Sequence, residues 1–257
     1  ETGIAKENII FFLLFDSNNP SSIKKCIMQA RENIRMVRTA VTLEVWNAVN
    51  SSFHGLETNI KTTKNILKEL PQIIEWVKKQ VNLIRGTILN TQLINDGYDF
   101  LTLGTYFERA DFTARIINVK YFILLPSVKY VGSEVDNFQW SMMLRAISSY
   151  RAFKWAYGQD DINYITIIDF LILNMTCPRS LIFSVEKIYH HLERLCDFYK
   201  QNSVAKKKVG KMYNKLKRFN AEQVSDFGLH EFLKSFIKDI NIIYEHIERK
   251  YFFGLEQ

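Results

Sequence analysis

A chain of 257 residues that is 47% hydrophobic and 14% aromatic can bury a large core as one big domain or two small ones, and it gives no sign of disorder. Only ten glycines and four prolines punctuate it, and strand-like alternation between turn signals is hard to find, which argues against a sheet-built fold and predicts an all-α one. The formal charge of +7 is local: seven positives and no acid lie between Val204 and Arg218, and 34 minus 7 leaves 27 positives against 27 acids elsewhere.

That segment, with Lys206, Lys207, Lys208, Lys211, Lys215, Lys217 and Arg218, reads as a solvated helix or linker in preference to a nucleic-acid or acidic-partner site. Cys26, Cys177 and Cys196 are odd in number and form no CxxC pair, which suits free thiols in a reducing cytoplasm. The longest apolar run, 9–15, falls far short of the roughly 20 residues that a bilayer span needs, so a soluble, cytoplasmic protein without a membrane partner is expected. The opening Glu1-Thr2-Gly3 lacks an initiator methionine, which suggests a fragment or a processed chain.

In chain order, 9–15 reads as a buried helix end and 16–22 as a turn, with Asn19 as cap and Pro20 at the first position of a helix over 20–46. Its core stripe is Ile23, Ile27, Ala30, Ile34, Val37, Val41 and Val45, and one position later come Lys24, Met28, Arg31, Arg35 and Arg38. A helix over 56–90 is interrupted at Pro71. Asn95-Asp96-Gly97 then precedes a helix that lasts until Pro126. Its stripe of Leu103, Phe107, Ala110, Ala114, Ile117, Tyr121 and Leu124 is faced by a second apolar set, Phe112, Ile116, Val119 and Ile123. Residues 128–136 read as a loop, and helices are expected over 138–157, 162–174, 178–199 and 229–253.

Glu108, Asp111 and Arg115 fall between the two apolar sets, where a charge must be paired, hydrogen-bonded or facing a polar cavity. They occupy the same offset beside their core stripe that Arg31, Arg35 and Arg38 occupy beside theirs. If the two edges meet, Glu108 and Asp111 face the arginines, whose planar forks can hold a carboxylate or phosphate bidentately. The candidate ligand-binding set is therefore Arg31, Glu32, Arg35, Arg38, Glu108, Arg109, Asp111 and Arg115, with Glu108 and Asp111 as candidate general bases. The plainer reading is a structural ion-pair network.

An internal repeat superposes Phe12-Leu13-Leu14-Phe15-Asp16, Pro20 and Ser22-Ile23 on Phe170-Leu171-Ile172-Leu173-Asn174, Pro178 and Ser180-Leu181, at an offset of 178 minus 20, or 158. It predicts one multi-helix domain over 1–257, built from two pseudo-repeated units, 1–95 and 96–257. Subtracting 158 from 104 places the first copy of the charged helix before residue 1, so the first unit is expected to be incomplete and the natural protein to extend upstream.

Other sites weigh less. Ser21-x-x-Lys24 and Ser22-x-x-Lys25 match a serine–lysine nucleophile pair, but at a helix start serines cap. Glu186, His190 and Glu193 share a helix face, yet no Glu-x-x-His occurs, so a metal is not expected, and no dinucleotide or phosphate-loop fingerprint points to a cofactor. Tyr106, Trp140, Trp155, Phe170 and Tyr199 sit at helical spacing and read as core in preference to base-stacking groups.

Phe12-Leu-Leu-Phe-Asp16, Asn19-Pro-Ser-Ser22, Ala30-Arg-Glu-Asn-Ile-Arg35, Glu44-x-Trp46 with Asn50, and above all Leu103-Gly-x-Tyr-x-Glu108-Arg-Ala-Asp111-x-x-Ala-Arg115 resemble the bacterial alpha-E family. Asp169-Phe-Leu, Pro178-Arg-Ser180 and Gly228-Leu-His230-Glu-Phe232 extend the likeness over nearly the whole chain. The resemblance implies an all-helical protein of unknown function. It also implies partners, a circularly permuted ATP-grasp ligase and a transglutaminase-like protein, and with them a role in peptide or amide-bond modification. Family members carry an earlier Gly-x-Tyr-x-Glu-Arg-Ala copy that this chain lacks.

Two readings are open at this stage. One is an accessory or binding protein whose charged seam holds an anionic or peptide ligand. The other is an amide-bond enzyme with Glu108 or Asp111 as base and the arginines stabilising an oxyanion. A weaker third is nucleic-acid binding through 204–218.

Overall fold

The computed structural model describes residues 5–123, 133–158 and 162–252, and every regular element among them is helical. The loop expected over 128–136 lies outside these residues as far as 132, as do Leu124, Pro126 and Phe253. The chain divides into two compact units, Glu1–Ile94 and Asn95–Gln257.

In the first unit, helices α1 (Lys6–Leu14) and α2 (Ile23–Met36) flank a turn fastened by side chains. Asn19 is not the cap: its Nδ2 donates to the Phe12 carbonyl at 3.0 Å and its Oδ1 accepts from Ser21 N–H at 3.0 Å. Ser22 caps α2 by accepting from Lys25 N–H at 3.2 Å, so Pro20 belongs to the turn.

The long helix expected over 20–46 is broken. It ends at Met36, one 3-10 turn follows at Arg38–Ala40, and α3 (Leu43–Thr62) starts after Thr42, whose Oγ1 accepts from Val45 N–H at 3.3 Å. Val37, Thr39, Val41 and Thr42 are β-branched and pay χ1 freedom inside a helix, while Thr42 is a good cap, so the break is local in origin. Val37 is consequently 50% exposed, whereas Ile34 and Val45 on either side of the break are buried.

The next interruption also moves. Asn65 caps α4 (Ile66–Thr91) by accepting from Lys68 N–H at 3.0 Å, and Pro71 lies inside the helix. Pro71 sacrifices one backbone bond there, but Glu69 accepts from both Lys64 N–H and Asn65 N–H and secures the start of α4. Leu14, Phe15, Leu56 and Ile73 form one core of this unit, and Ile34, Val45 and Val49 a second.

The second unit contains α5 (Asp96–Ile123), α6 (Glu134–Ala146), α7 (Tyr150–Tyr157) and α8 (Tyr164–Ile168), which runs on as a π turn, Asp169–Leu173. After it come α9 (Leu181–Phe198), α10 (Val204–Leu216), α11 (Ala221–Phe227) and α12 (Leu229–Ile247), the last continuing into a second π turn, Glu248–Phe252. The helix expected over 138–157 is two helices. Ser148 adopts φ 58 between them, while Ser148 N–H and Ser149 N–H close back on the Arg145 and Leu144 carbonyls. The helix expected from Pro178 begins at Leu181, because Ser180 accepts from Phe183 N–H at 3.1 Å and caps it.

Helix α5 packs against α9 and α12 through the stripe its periodicity predicts: Leu103, Phe107, Ala110, Ala114 and Ile117 are all buried. The second apolar face does not form a core. Of that set Ile116 packs partly against the core, whereas Phe112 and Val119 are 44% and 47% exposed, as is Leu101 at 42% on the same side, and Glu108 and Arg115 lie open among them. Glu108 thus keeps its water and Arg115 most of it, while Asp111 is half-buried, so the burial expected of the three charges is only partial. The buried charges on α5 are instead Asp99, 2% exposed, and Lys120, 1% exposed, the latter pairing with the equally buried Asp136 of α6 and sitting 4.3 Å from the centre of the Trp140 ring.

Candidate functional site

Consecutive residues on a helix point roughly 100° apart, so the Glu108-Arg109 pair is split between two surroundings. Glu108 faces solvent. Arg109 turns toward the loop that joins the π turn to α9, where its Nη1 donates to the Pro178 carbonyl at 3.1 Å. Its guanidinium lies 5.0 Å from the Tyr106 ring, which in turn packs on Phe183 of α9.

The loop that receives Arg109 is itself tightly specified. Asn174 Oδ1 accepts from Thr176 N–H at 2.9 Å, Thr176 Oγ1 at 2.8 Å and Cys177 N–H at 2.9 Å. Ser180 Oγ donates to the Asn174 carbonyl at 2.6 Å while capping α9, so one hydroxyl fixes both ends of the loop. Just upstream, the Tyr157 hydroxyl donates to Asp169 in the π turn, and Asn174 Nδ2 reaches the same hydroxyl at 3.4 Å. Burial, and then the Asp169 carboxylate, push the Tyr157 hydroxyl up to about 12. A π turn at such a place is a common mark of a functional site.

Cys177 sits in this loop, 3% exposed. Burial pushes its thiol up, and the N–H groups of Arg179 and Ser180 with the cations of Arg179 and Arg109 offset that only in part. The thiol is therefore protonated at neutral pH and is not an activated nucleophile.

Two residues beyond Arg109, Asp111 Oδ2 accepts from Arg115 Nε at 2.6 Å, and its Oδ1 is buried with no partner among the described residues. The arginines of α2 also find partners within their own unit. Arg31 donates from Nε to Asn50 Oδ1 at 2.9 Å and from Nη1 to Glu32 at 3.3 Å, and stacks 4.6 Å from Phe53. Arg35 reaches the other Glu32 oxygen at 2.9 Å, and Arg38 lies 4.6 Å from the Trp46 ring.

A polar cluster that the sequence did not single out joins α5 to α9. The carboxylate of Asp99, 2% exposed, accepts from His191 Nδ1 at 2.7 Å and from Arg194 Nε at 2.9 Å. The carboxylate can only accept, so Nδ1 carries the hydrogen and the neutral ring keeps its lone pair on Nε2. Burial lowers the His191 pKa, with Asp99 pulling it up and His190 and Arg194 pushing it further down. A histidine whose folded pKa is depressed binds fewer protons folded than unfolded. Its stability contribution is complete above the unfolded value of about 6.5 and is lost as pH falls through the folded value. The urea midpoint is expected to fall between neutral pH and pH of about 5, and His191→Gln should flatten that fall. A wild-type midpoint that rises on acidification would refute the sign.

The remaining sequence candidates resolve locally. Ser22 is the cap of α2, as the helix-start reading of Ser-x-x-Lys required. Glu186 accepts from the Tyr213 hydroxyl at 3.0 Å, and Glu193 pairs with Lys206 at 3.2 Å. No group of three metal-ligating side chains occurs among the described residues. Phe170 is buried and Tyr106 packs on Phe183, whereas Trp155, assigned to the core by its spacing, is 83% exposed at the end of the short helix α7. All three cysteines are free, and no described helix is long and apolar enough to cross a membrane.

No curated protein and no solved structure matches this chain. A family model does, over residues 1–252: Alpha-E, described as a predicted alpha-helical domain with a conserved ER motif. The chain holds three Glu-Arg pairs, at 108–109, 193–194 and 248–249, and the first, in the setting Gly104-x-Tyr106-x-Glu108-Arg109-Ala110, is the one that the sequence resemblance rests on. With nearly all of its length matched, the chain belongs to the Alpha-E family.

Proposed function

We propose that this Alpha-E protein is an accessory, binding component of a peptide- or amide-modifying system, and that the outer face of α5 is where it meets its partner. The family resemblance supplies the partner class, a circularly permuted ATP-grasp ligase working with a transglutaminase-like protein. One observation carries the reading. The arginine of the Glu-Arg pair is engaged inside the unit by the Pro178 carbonyl, while the glutamate stands on an exposed stripe. At about 100° per residue, Leu101, Glu108, Phe112, Arg115 and Val119 line up along one side of the helix. Apolar anchors ringed by charge that can set orientation are what a helical docking surface needs.

Co-expression of this protein with an ATP-grasp ligase of that class, followed by size-exclusion chromatography, tests the proposal. The wild type is expected to co-elute with the ligase, and Phe112→Asp to weaken the complex by about tenfold or more with its helical content unchanged. A Phe112→Asp protein that binds like wild type would remove α5 as the surface. A wild type that never co-elutes would overturn the accessory role.

A further inference from the structure

The excess positive charge of the chain is gathered on α10, and the fold gives it a shape that the sequence could not show. Lys207, Lys208, Lys211, Lys215 and Arg218 fall on one side of the helix and are all exposed. Lys206 and Lys217 turn the other way, toward Glu193 at 3.2 Å and the Tyr213 ring at 5.3 Å. Among the described residues Lys206 is the only member of the seven in an ion pair, so the outward five are not neutralised within the unit. They border a concave surface. A groove of about 540 Å³ is lined by Lys211, Asn214, Lys215, Arg218, Phe219 and Gln223 with no acid among them, and a neighbouring cavity of about 240 Å³ shares Lys211 and Lys215 and adds Lys208 together with one acid, Asp239.

We infer that this groove binds an acidic peptide segment, its carboxylates on the lysines and Arg218, its backbone amides on Asn214 and Gln223. Charge alone would suit any polyanion, so the choice of class rests on what else lines the groove. A single-stranded nucleic acid needs free aromatic faces on which to stack its bases. Here Phe219 is packed edge-on against Phe232, and Tyr213 is stacked on Tyr189 with Lys217 over it. Base readout in a duplex needs an element that enters one of its grooves, whereas the lysines and Arg218 here border a pocket of a few hundred cubic ångströms. A short extended peptide has the girth for the groove, and its amide groups match the donor and acceptor pair of Asn214 and the side-chain NH2 of Gln223, whose Oε1 accepts from Asn220 N–H at 3.0 Å. None of these residues lies on the outer face of α5, so the site is separate from the partner surface proposed above.

Fluorescence anisotropy on the full chain, at low and at near-physiological salt, provides the test, with a short labelled oligoglutamate as probe. Saturable binding that weakens with salt is expected. The triple variant Lys211→Gln, Lys215→Gln, Arg218→Gln should lose it by about tenfold or more, and Lys217→Gln, off the groove, should stay within about twofold of wild type. No binding of oligoglutamate overturns the inference and leaves the α5 proposal standing. So does a loss in Lys217→Gln as large as in the single variant Lys215→Gln, which removes the same charge from within the groove, since that would mean only net charge is sensed. Tighter binding of a single-stranded or duplex oligonucleotide than of the peptide would assign the groove to nucleic acid instead.

Discussion

Replacing Asp136 with alanine is expected to destabilise the protein by about 3–5 kcal/mol, the largest effect of any single substitution of a charged residue considered for this chain. Lys120 and Asp136 are each 1% exposed, one on α5 and the other in the first turn of α6, so the variant would leave an ammonium buried without its counter-charge. The Trp140 face, 4.3 Å away, gives a cation some compensation but far less than a carboxylate does. The double variant Lys120→Met, Asp136→Leu removes both charges and is expected to lie close to wild type, because an apolar pair of similar volume avoids desolvating either ion. Chemical denaturation of the three proteins measures both effects. A mild loss in Asp136→Ala, or a double variant as unstable as the single one, would show that the pair is not buried as described.

Arg109→Lys is the second large effect. Lysine keeps the charge but has no planar fork, and the contact that matters is directional, from Nη1 to the Pro178 carbonyl at 3.1 Å. A hydrogen bond from a charged donor at a solvent-exposed carbonyl is worth about 1–1.5 kcal/mol, and here the carbonyl belongs to a loop already fixed by Asn174 and Ser180. The loss should concentrate in that loop and in the start of α9. Hydrogen exchange at Arg179 and Phe183 is expected to quicken in the variant more than exchange in α12 does, and uniform quickening would contradict a local anchor.

Much of this fold was legible because local rules and long-range packing agreed. The stripe of Leu103, Phe107, Ala110, Ala114 and Ile117 has the helical period and is buried as that period demands. Ser22 caps the helix that follows it, as expected of a serine at a helix start. Where local and periodic signals conflicted, the local one won: the valine stripe ran on through Val37 and Val41, but their β-branching and the Thr42 cap stopped the helix. The second apolar face of α5 misled for another reason. Periodicity reports that Phe112 and Val119 share a side, but it does not report whether anything covers that side.

The buried polar pairs were less legible still. Asp99 and His191 are 92 residues apart in sequence, so no local spacing announces them. Lys120, 16 residues from Asp136, left a fainter trace as a lysine close to the core stripe of α5. Basic charge on α10 was plain in the sequence, yet its division into an outward five and an inward two needed the positions of Glu193 and Tyr213.

The central claim is that the Glu-Arg pair divides its work, the arginine holding the unit together and the glutamate serving the surface. Thermal unfolding of Arg109→Lys beside Glu108→Gln tests it most directly. The arginine variant should melt about 2–6 °C below wild type, and the glutamate variant, altered at an exposed position, within about 1 °C of it. A Glu108→Gln protein that loses as much stability as Arg109→Lys, or an Arg109→Lys protein that loses none, would contradict the claim.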